Sequence, residues 1–226
     1  MMPSSDNDSL ASREEGQQYA DDLSCRVCSN TWEALFSFFC HFQYAVATDP
    51  EIQQAFQASF GLCPTHTWLL GQLASPRGRC DCYPPLLEDL AGRLQALAGH
   101  PEASRHIEAM MGSPDRCVAC REKDCAESYS IGMVRQELAA APDWPINLCL
   151  RHLSVILKDV DETAAAALVR HHARLMSDIA HAMRNYAAKY DARRRGDMSR
   201  EERASPRDAL ELLAGAKNLF FIRKLE

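Results

Sequence analysis

Eight cysteines and histidines form a pattern that the chain states twice. Cys25 and Cys28 make a C-x-x-C motif, and Cys63 and His66, in GLCPTH, make a C-x-x-H motif; Cys117 and Cys120, then Cys149 and His152 in NLCLRH, repeat the series. Two cysteines separated by two residues in a tight turn both reach one ion. A cysteine and a histidine three apart on a helix start then complete a Cys3His shell of tetrahedral preference. Read in chain order, Cys63 and His66 close the shell opened by Cys25 and Cys28, and Cys149 and His152 close the one opened by Cys117 and Cys120. The stretches between the motifs hold 34 and 28 residues, a difference worth only about 0.2 kcal/mol of loop-closure entropy. Zinc, two ions per chain, suits these shells best, with four protein ligands and no redox change; an iron–sulfur cluster is the alternative, since histidine replaces cysteine in some centres. Thiolate is the ligating form, so the positive end of the helix carrying Cys63 or Cys149 favours binding.

The other candidates read more simply. Cys80, Cys82 and Cys125 could make a third site, but thiols in a turn account for them. Cys40 and His41 sit beside the apolar face of an aromatic helix, and His172 falls on an apolar stripe next to His171, where a satisfied core histidine is the expectation. Residues 184–207 carry Arg184, Lys189, Arg193, Arg194, Arg195, Arg200, Arg203 and Arg207 against Asp191, Asp197, Glu201 and Glu202. That local excess could grip a phosphate backbone, but little aromatic interleaving accompanies it, so a solvated linker is favoured over nucleic-acid binding. No G-x-S-x-G, H-E-x-x-H or phosphate-cradling glycine loop occurs, and a closed four-ligand shell leaves no position for substrate, so no catalytic residue is assigned and the balance is against an enzyme.

The elements that must position the motifs are all helical. Trp32, Leu35, Phe36, Phe39, Phe42 and Val46 recur at helical spacing after the first C-x-x-C. Asp49 and Pro50 restart a helix that ends at Gly61, and Pro64 opens the next inside CPTHTWLLGQLA. SPRGRCDCYPP reads as a turn-rich break, followed by a helix with Leu87, Leu90, Leu94 and Leu97 on its face and a short helix through EASRHIEAMM. The second copy brings helices through REKDCAESYSIGMVRQELAAA and LCLRHLSVILKDV. The longest helix runs from Glu162 to Tyr190, with Leu168, His172, Leu175, Ile179, Met183, Tyr186 and Tyr190 along one face. A last helix takes Ser205 as cap and Pro206 at its first position; NLFFIRKL extends a helix or forms a short strand. The expected organisation is a flexible arm over 1–20, a first metal-binding helical repeat over 21–112, a second with the long helix over 113–192, and a basic linker with a C-terminal helix over 193–226.

Composition sets the bounds. The chain has 226 residues, 46% of them hydrophobic, which is ample for a packed core, and a net charge of −6 that repels polyanions and anionic membranes. The N-terminus has neither a basic nor an apolar segment of a secretory signal, and no apolar run reaches membrane-spanning length. Ten cysteines without an export signal point to a reducing compartment, the cytoplasm, and to metal or thiol redox chemistry rather than disulfides. SCRVC with FGLCPTH, and RCVAC with NLCLRH, resemble an uncharacterised group of bacterial helical proteins that carry C-x-x-C followed by G-[LF]-C-x-x-H. The likeness covers roughly residues 22 to 215 and implies the eight ligands and a duplicated all-α fold, with no activity to carry over. At the second closing motif Ile146 and Asn147 stand where Phe60 and Gly61 stand in the first; Asn147 is the next best residue for a left-handed turn. The sequence therefore implies an all-α, internally duplicated helical bundle with two Cys3His sites, acting as an adaptor for a protein partner.

Overall fold

A computed structural model describes residues 23–190, 197–217 and 219. The expected arm over 1–20 and the Arg193–Arg195 cluster lie outside the described residues, as does NLFFIRKL apart from the buried Leu219. Regular structure among the described residues is helical throughout: α1 (Arg26–Thr48), α2 (Pro50–Ala58), α3 (Pro64–Leu73), α4 (Pro76–Cys82), α5 (Pro84–Ala96), α6 (Ala103–Ala109), α7 (Val118–Ala140), α8 (Leu150–Ile156), α9 (Glu162–Ala188) and α10 (Arg200–Ala214). None of these is long and apolar enough to cross a membrane.

The helices form two compact units. The first takes described residues 23–30 together with 129–190, 197–217 and 219; the second takes 31–128. The chain thus leaves the first unit within α1 and re-enters it within α7.

In the second unit, Leu35, Phe39, Phe42 and Val46 of α1 are buried as their spacing predicts, whereas Phe36 is 46% exposed. Phe42 meets Phe56 of α2 edge to face, and Phe56 meets Tyr83. Asp49 caps α2 by accepting from the backbone N–H groups of Glu51 and Ile52. The expected break at SPRGRCDCYPP is instead the helix α4: Ser75 caps it by accepting from the Gly78 N–H, and Pro76 occupies the first turn, where its missing N–H has no helical partner to lose. On α5 the buried residue is Leu86, while Leu87 is 60% exposed and Leu94 is exposed as well.

In the first unit α9 packs along α10, and α10 also touches α8. Leu168, His172 and Ile179 of α9 are buried, while Met183 and Tyr190 near its end are exposed. The start of α10 lies upstream of the expected cap. Ser199 accepts from the Glu202 N–H while the Glu202 carboxylate accepts from the Ser199 N–H, a complete capping box, and Pro206 falls inside the helix. A helical proline leaves the carbonyl four residues back without its donor. That carbonyl belongs to Glu202, and the buried Ser205 hydroxyl donates to it at 2.9 Å.

Candidate metal centres

All four motifs are built the same way: a cysteine stands immediately before a helix and its carbonyl accepts the first helical hydrogen bond. Cys25 accepts from Ser29, Cys63 from Thr67, Cys117 from Arg121 and Cys149 from Leu153, at 2.8–3.2 Å. The C-x-x-C motifs are therefore helix starts rather than the expected tight turns. Cys63 and Cys149 have nearly the same extended backbone, φ −63° and ψ 160° against φ −72° and ψ 161°, and neither sulfur caps its own helix. The sulfurs turn inward instead, each at the partly positive end of a helix that favours thiolate.

The eight side chains form two buried clusters that could hold metal ions, but the pairing departs from chain order. Cys25 and Cys28 meet Cys149 and His152, and Cys63 and His66 meet Cys117 and Cys120; within each set the donor atoms lie within 4.8 Å of one another. The sets are nested: the second, inner one lies wholly within the span of chain closed by the first, outer one. Chain order is no guide to the pairing, because loop closure discriminates only weakly between near and distant motifs. Closing the 121-residue separation between Cys28 and Cys149 rather than one of about 35 costs only about 1 kcal/mol more in chain entropy.

The donor distances fit a single tetrahedral ion. Metal–sulfur bonds of about 2.3 Å and metal–nitrogen bonds of about 2.0–2.1 Å give tetrahedron edges of about 3.8 Å between sulfurs and about 3.6 Å between sulfur and nitrogen. In the outer set Cys28 and Cys149 sulfurs are 3.9 Å apart, and His152 Nδ1 is 3.2, 3.5 and 3.3 Å from Cys25, Cys28 and Cys149. In the inner set Cys63 and Cys120 are 3.8 Å apart, and His66 Nδ1 is 3.4, 3.5 and 3.3 Å from Cys63, Cys117 and Cys120. The relative exposure of all eight is 6% or less.

Without a cation the three sulfurs of a set compete for one charge. A hydrogen bond from Cys63, helped by His66, holds Cys117 down to about 3, and the same hydrogen bond pushes Cys63 far above the usual thiol range. Burial, then the Cys117 charge, pushes Cys120 up to about 12. Hydrogen bonds from Cys25 and Cys28 hold Cys149 far down in the outer set, and hydrogen bonding to Cys149 and Cys25 pushes Cys28 far up. One buried thiolate with protonated neighbours is the state that a divalent cation would convert to three thiolates.

Residues outside the motifs carry the positioning, and pattern reading passed over most of them. At the inner set, Phe60 has φ 57°, a rare left-handed value for a non-glycine, followed by Gly61 at φ 81°. The guanidinium groups of Arg93 and Arg116 lie 5.4 and 5.1 Å from the Phe60 ring, and Arg116 also donates to the Met111 carbonyl at 2.7 Å. Gly112 completes the approach, since a Cβ there would stand 2.2 Å from the Leu62 carbonyl oxygen. This contact draws the segment before Cys117 onto the segment before Cys63.

The outer set is held differently. Asn147 does not take the left-handed turn expected of it; glycines apart, Phe60 alone does so among the described residues. Its carbonyl instead accepts from the Arg26 N–H at 2.9 Å, between the two cysteines of the other motif, and its Oδ1 accepts from His171 Nε2 at 2.8 Å. Burial, then His172, holds the pKa of His171 below the usual imidazole value. Beside it, buried His172 accepts the Leu148 N–H on Nε2 at 3.0 Å, which obliges Nδ1 to carry the proton that it donates to the Leu168 carbonyl at 2.8 Å. His172 is thus a satisfied core histidine, and one that fixes the residue before Cys149.

The remaining candidates do not join a cluster. Cys80 and Cys125 are exposed, and buried Cys82 donates to the Gln43 carbonyl at 3.0 Å. In the basic stretch Lys189 bonds Glu202 at 2.9 Å, Arg203 donates to the Met198 carbonyl at 2.6 Å, and Arg207 pairs with Asp208 and Glu211. Comparison with protein-family models, with curated proteins and with solved structures finds no match to the chain.

Proposed function

We propose that each cluster holds one zinc ion, two per chain, and that the protein is a cytosolic zinc-binding helical module that acts as an adaptor for a protein partner. The observation that carries the metal reading is the agreement of eight donor-atom separations, 3.2–3.9 Å, with the edges of a tetrahedral zinc shell. An iron–sulfur cluster spreads its ligands over several irons, whereas each set here converges on one point; a single ion suits that better. Bound zinc would be a structural ligand: four protein donors leave no open position for a substrate or an activated water. The internal bonds of Lys189, Arg203 and Arg207 favour this reading over a nucleic-acid grip at residues 184–207. The interaction role draws support from large apolar side chains of the second unit left in solvent, Trp68, Leu87 and Met111 among them.

Anaerobic purification followed by metal analysis tests the first part. The expected result is a colourless protein with two zinc ions per chain. A brown protein with iron and acid-labile sulfide, or one with far less than stoichiometric metal, overturns it. For the second part, a partner should co-purify with the intact chain from its own cells and be lost from a Trp68→Ser, Leu87→Ser variant that keeps both zinc ions. A partner retained by the variant, or none with either protein, refutes the role.

A further inference from the structure

Away from the two clusters, the first unit has a cleft of about 250 Å³ lined by Asp143, Trp144 and Pro145 from the α7–α8 connection and by Arg170, His171 and Arg174 of α9. Arg170 and Arg174 are four residues apart, so two like charges are neighbours on one helical face, which weakens a helix unless something neutralises them. Both are exposed, and neither has a carboxylate within ion-pairing distance among the described residues. Asp143 is exposed too, and it has no cation at ion-pairing distance among those residues. Two donors and an acceptor therefore line one space without closing on each other. Trp144, 60% exposed, adds a flat ring between Pro142 and Pro145, which restrict the loop.

Paired guanidinium groups recognise phosphate by forked, charge-assisted hydrogen bonds, and an exposed indole stacks on a flat base. A carboxylate beside that ring accepts from the amino or hydroxyl groups of a nucleoside. The volume lies just under the range of about 300–1,000 Å³ typical of small-ligand sites, so the cleft would seat the phosphate and one face of the base of a single nucleotide without enclosing it. The chain's net charge of −6 disfavours a long polyanion but not a single phosphate. We propose that this cleft binds a free nucleoside monophosphate, with the phosphate on Arg170 and Arg174 and the base against Trp144.

The cleft is also linked to the outer cluster through His171 and Asn147. His171 lines the cleft and donates to Asn147, whose carbonyl receives the Arg26 N–H between Cys25 and Cys28. Closing the outer site thus sets the position of His171, and ligand binding depends on the metal there; this last link rests on the zinc reading.

Titration calorimetry on the full, metal-loaded chain with each of the four ribonucleoside 5′-monophosphates tests the proposal, with adenosine, inorganic phosphate and a single-stranded oligoribonucleotide as comparison probes. At least one monophosphate should bind saturably with Kd below about 1 mM. Adenosine and phosphate should bind about tenfold or more weakly, and Arg170→Ala with Arg174→Ala should weaken binding by about the same factor or more, the size expected on losing charge-assisted hydrogen bonds. Trp144→Ala should also weaken binding, whereas Trp144→Phe retains most of it. Circular dichroism and metal content confirm that these exposed substitutions leave the fold intact. Absence of saturable binding, binding indifferent to both arginines, or tighter binding of the oligonucleotide than of any monophosphate overturns the proposal. Removal of the metal should abolish nucleotide binding; retained binding breaks the link to the outer site alone. A protein that purifies without zinc yet binds nucleotide would refute the zinc reading and leave the cleft standing, and a zinc-loaded one that does not bind nucleotide would do the reverse.

Discussion

At the scale of single residues, the cysteines are ends of helices first and candidate ligands second. A serine or aspartate at an N-cap spends its side chain on its own helix; Cys63 and Cys149 leave that bond unmade and aim the sulfur at a shared point. Protonation follows from the crowding. In the inner cluster Cys117 is held low and Cys63 and Cys120 are pushed up, so one entering ion would displace about two protons near neutral pH. Metal affinity there should rise with pH, by about a hundredfold per unit. An unfolded site, with three thiols near about 8.5, would release about three. Calorimetry at pH 7 in buffers of different ionisation enthalpy counts them. Gly112 is the residue with least room for change: an added Cβ meets backbone, the Leu62 carbonyl, rather than a side chain that could swing away. Gly112→Ala should cost about 1–3 kcal/mol in denaturant unfolding and weaken metal retention at the inner set more than at the outer one.

At the scale of helices, much was legible because it is local. The aromatic stripe of α1, the Asp49–Pro50 start of α2 and the three-residue spacing of Cys63 and His66 are statements about neighbours in sequence, and they hold. The cap of α10 misled because two serines compete for it: Ser205 precedes a proline, but Ser199 has the acid three residues on that completes a capping box. Asn147 misled because its role is set by partners at positions 26 and 171, which no local pattern contains. Ser205 and Pro206 make a testable pair. Ser205→Ala should destabilise the first unit by about 1–2 kcal/mol by leaving the Glu202 carbonyl without a donor. Adding Pro206→Ala, which restores a backbone N–H four residues on, should recover most of that loss. Denaturation of the wild type, both single variants and the double variant measures the coupling, and additive effects would refute the compensation.

At the scale of the whole molecule, the motif types and the count of two sets were legible, and the partnership between motifs was not, because it is set by how distant helices pack and not by spacing along the chain. Metal stoichiometry in double variants reads the pairing directly. Cys25→Ser with Cys149→Ser should lose one zinc ion per chain, while Cys25→Ser with Cys63→Ser should lose both; pairing in chain order gives the reverse. The nested order has a further consequence during synthesis. A chain made from its N-terminus presents Cys25, Cys28, Cys63 and His66, a full set of four donors, before either native partner motif exists. At about 5–20 residues per second, roughly 4–17 s pass between the translation of His66 and that of His152. If the sets hold metal as proposed, the timing of its delivery to the nascent chain would select between a premature shell and the native one, and abundant free zinc in that interval would lower the yield of correctly latched protein.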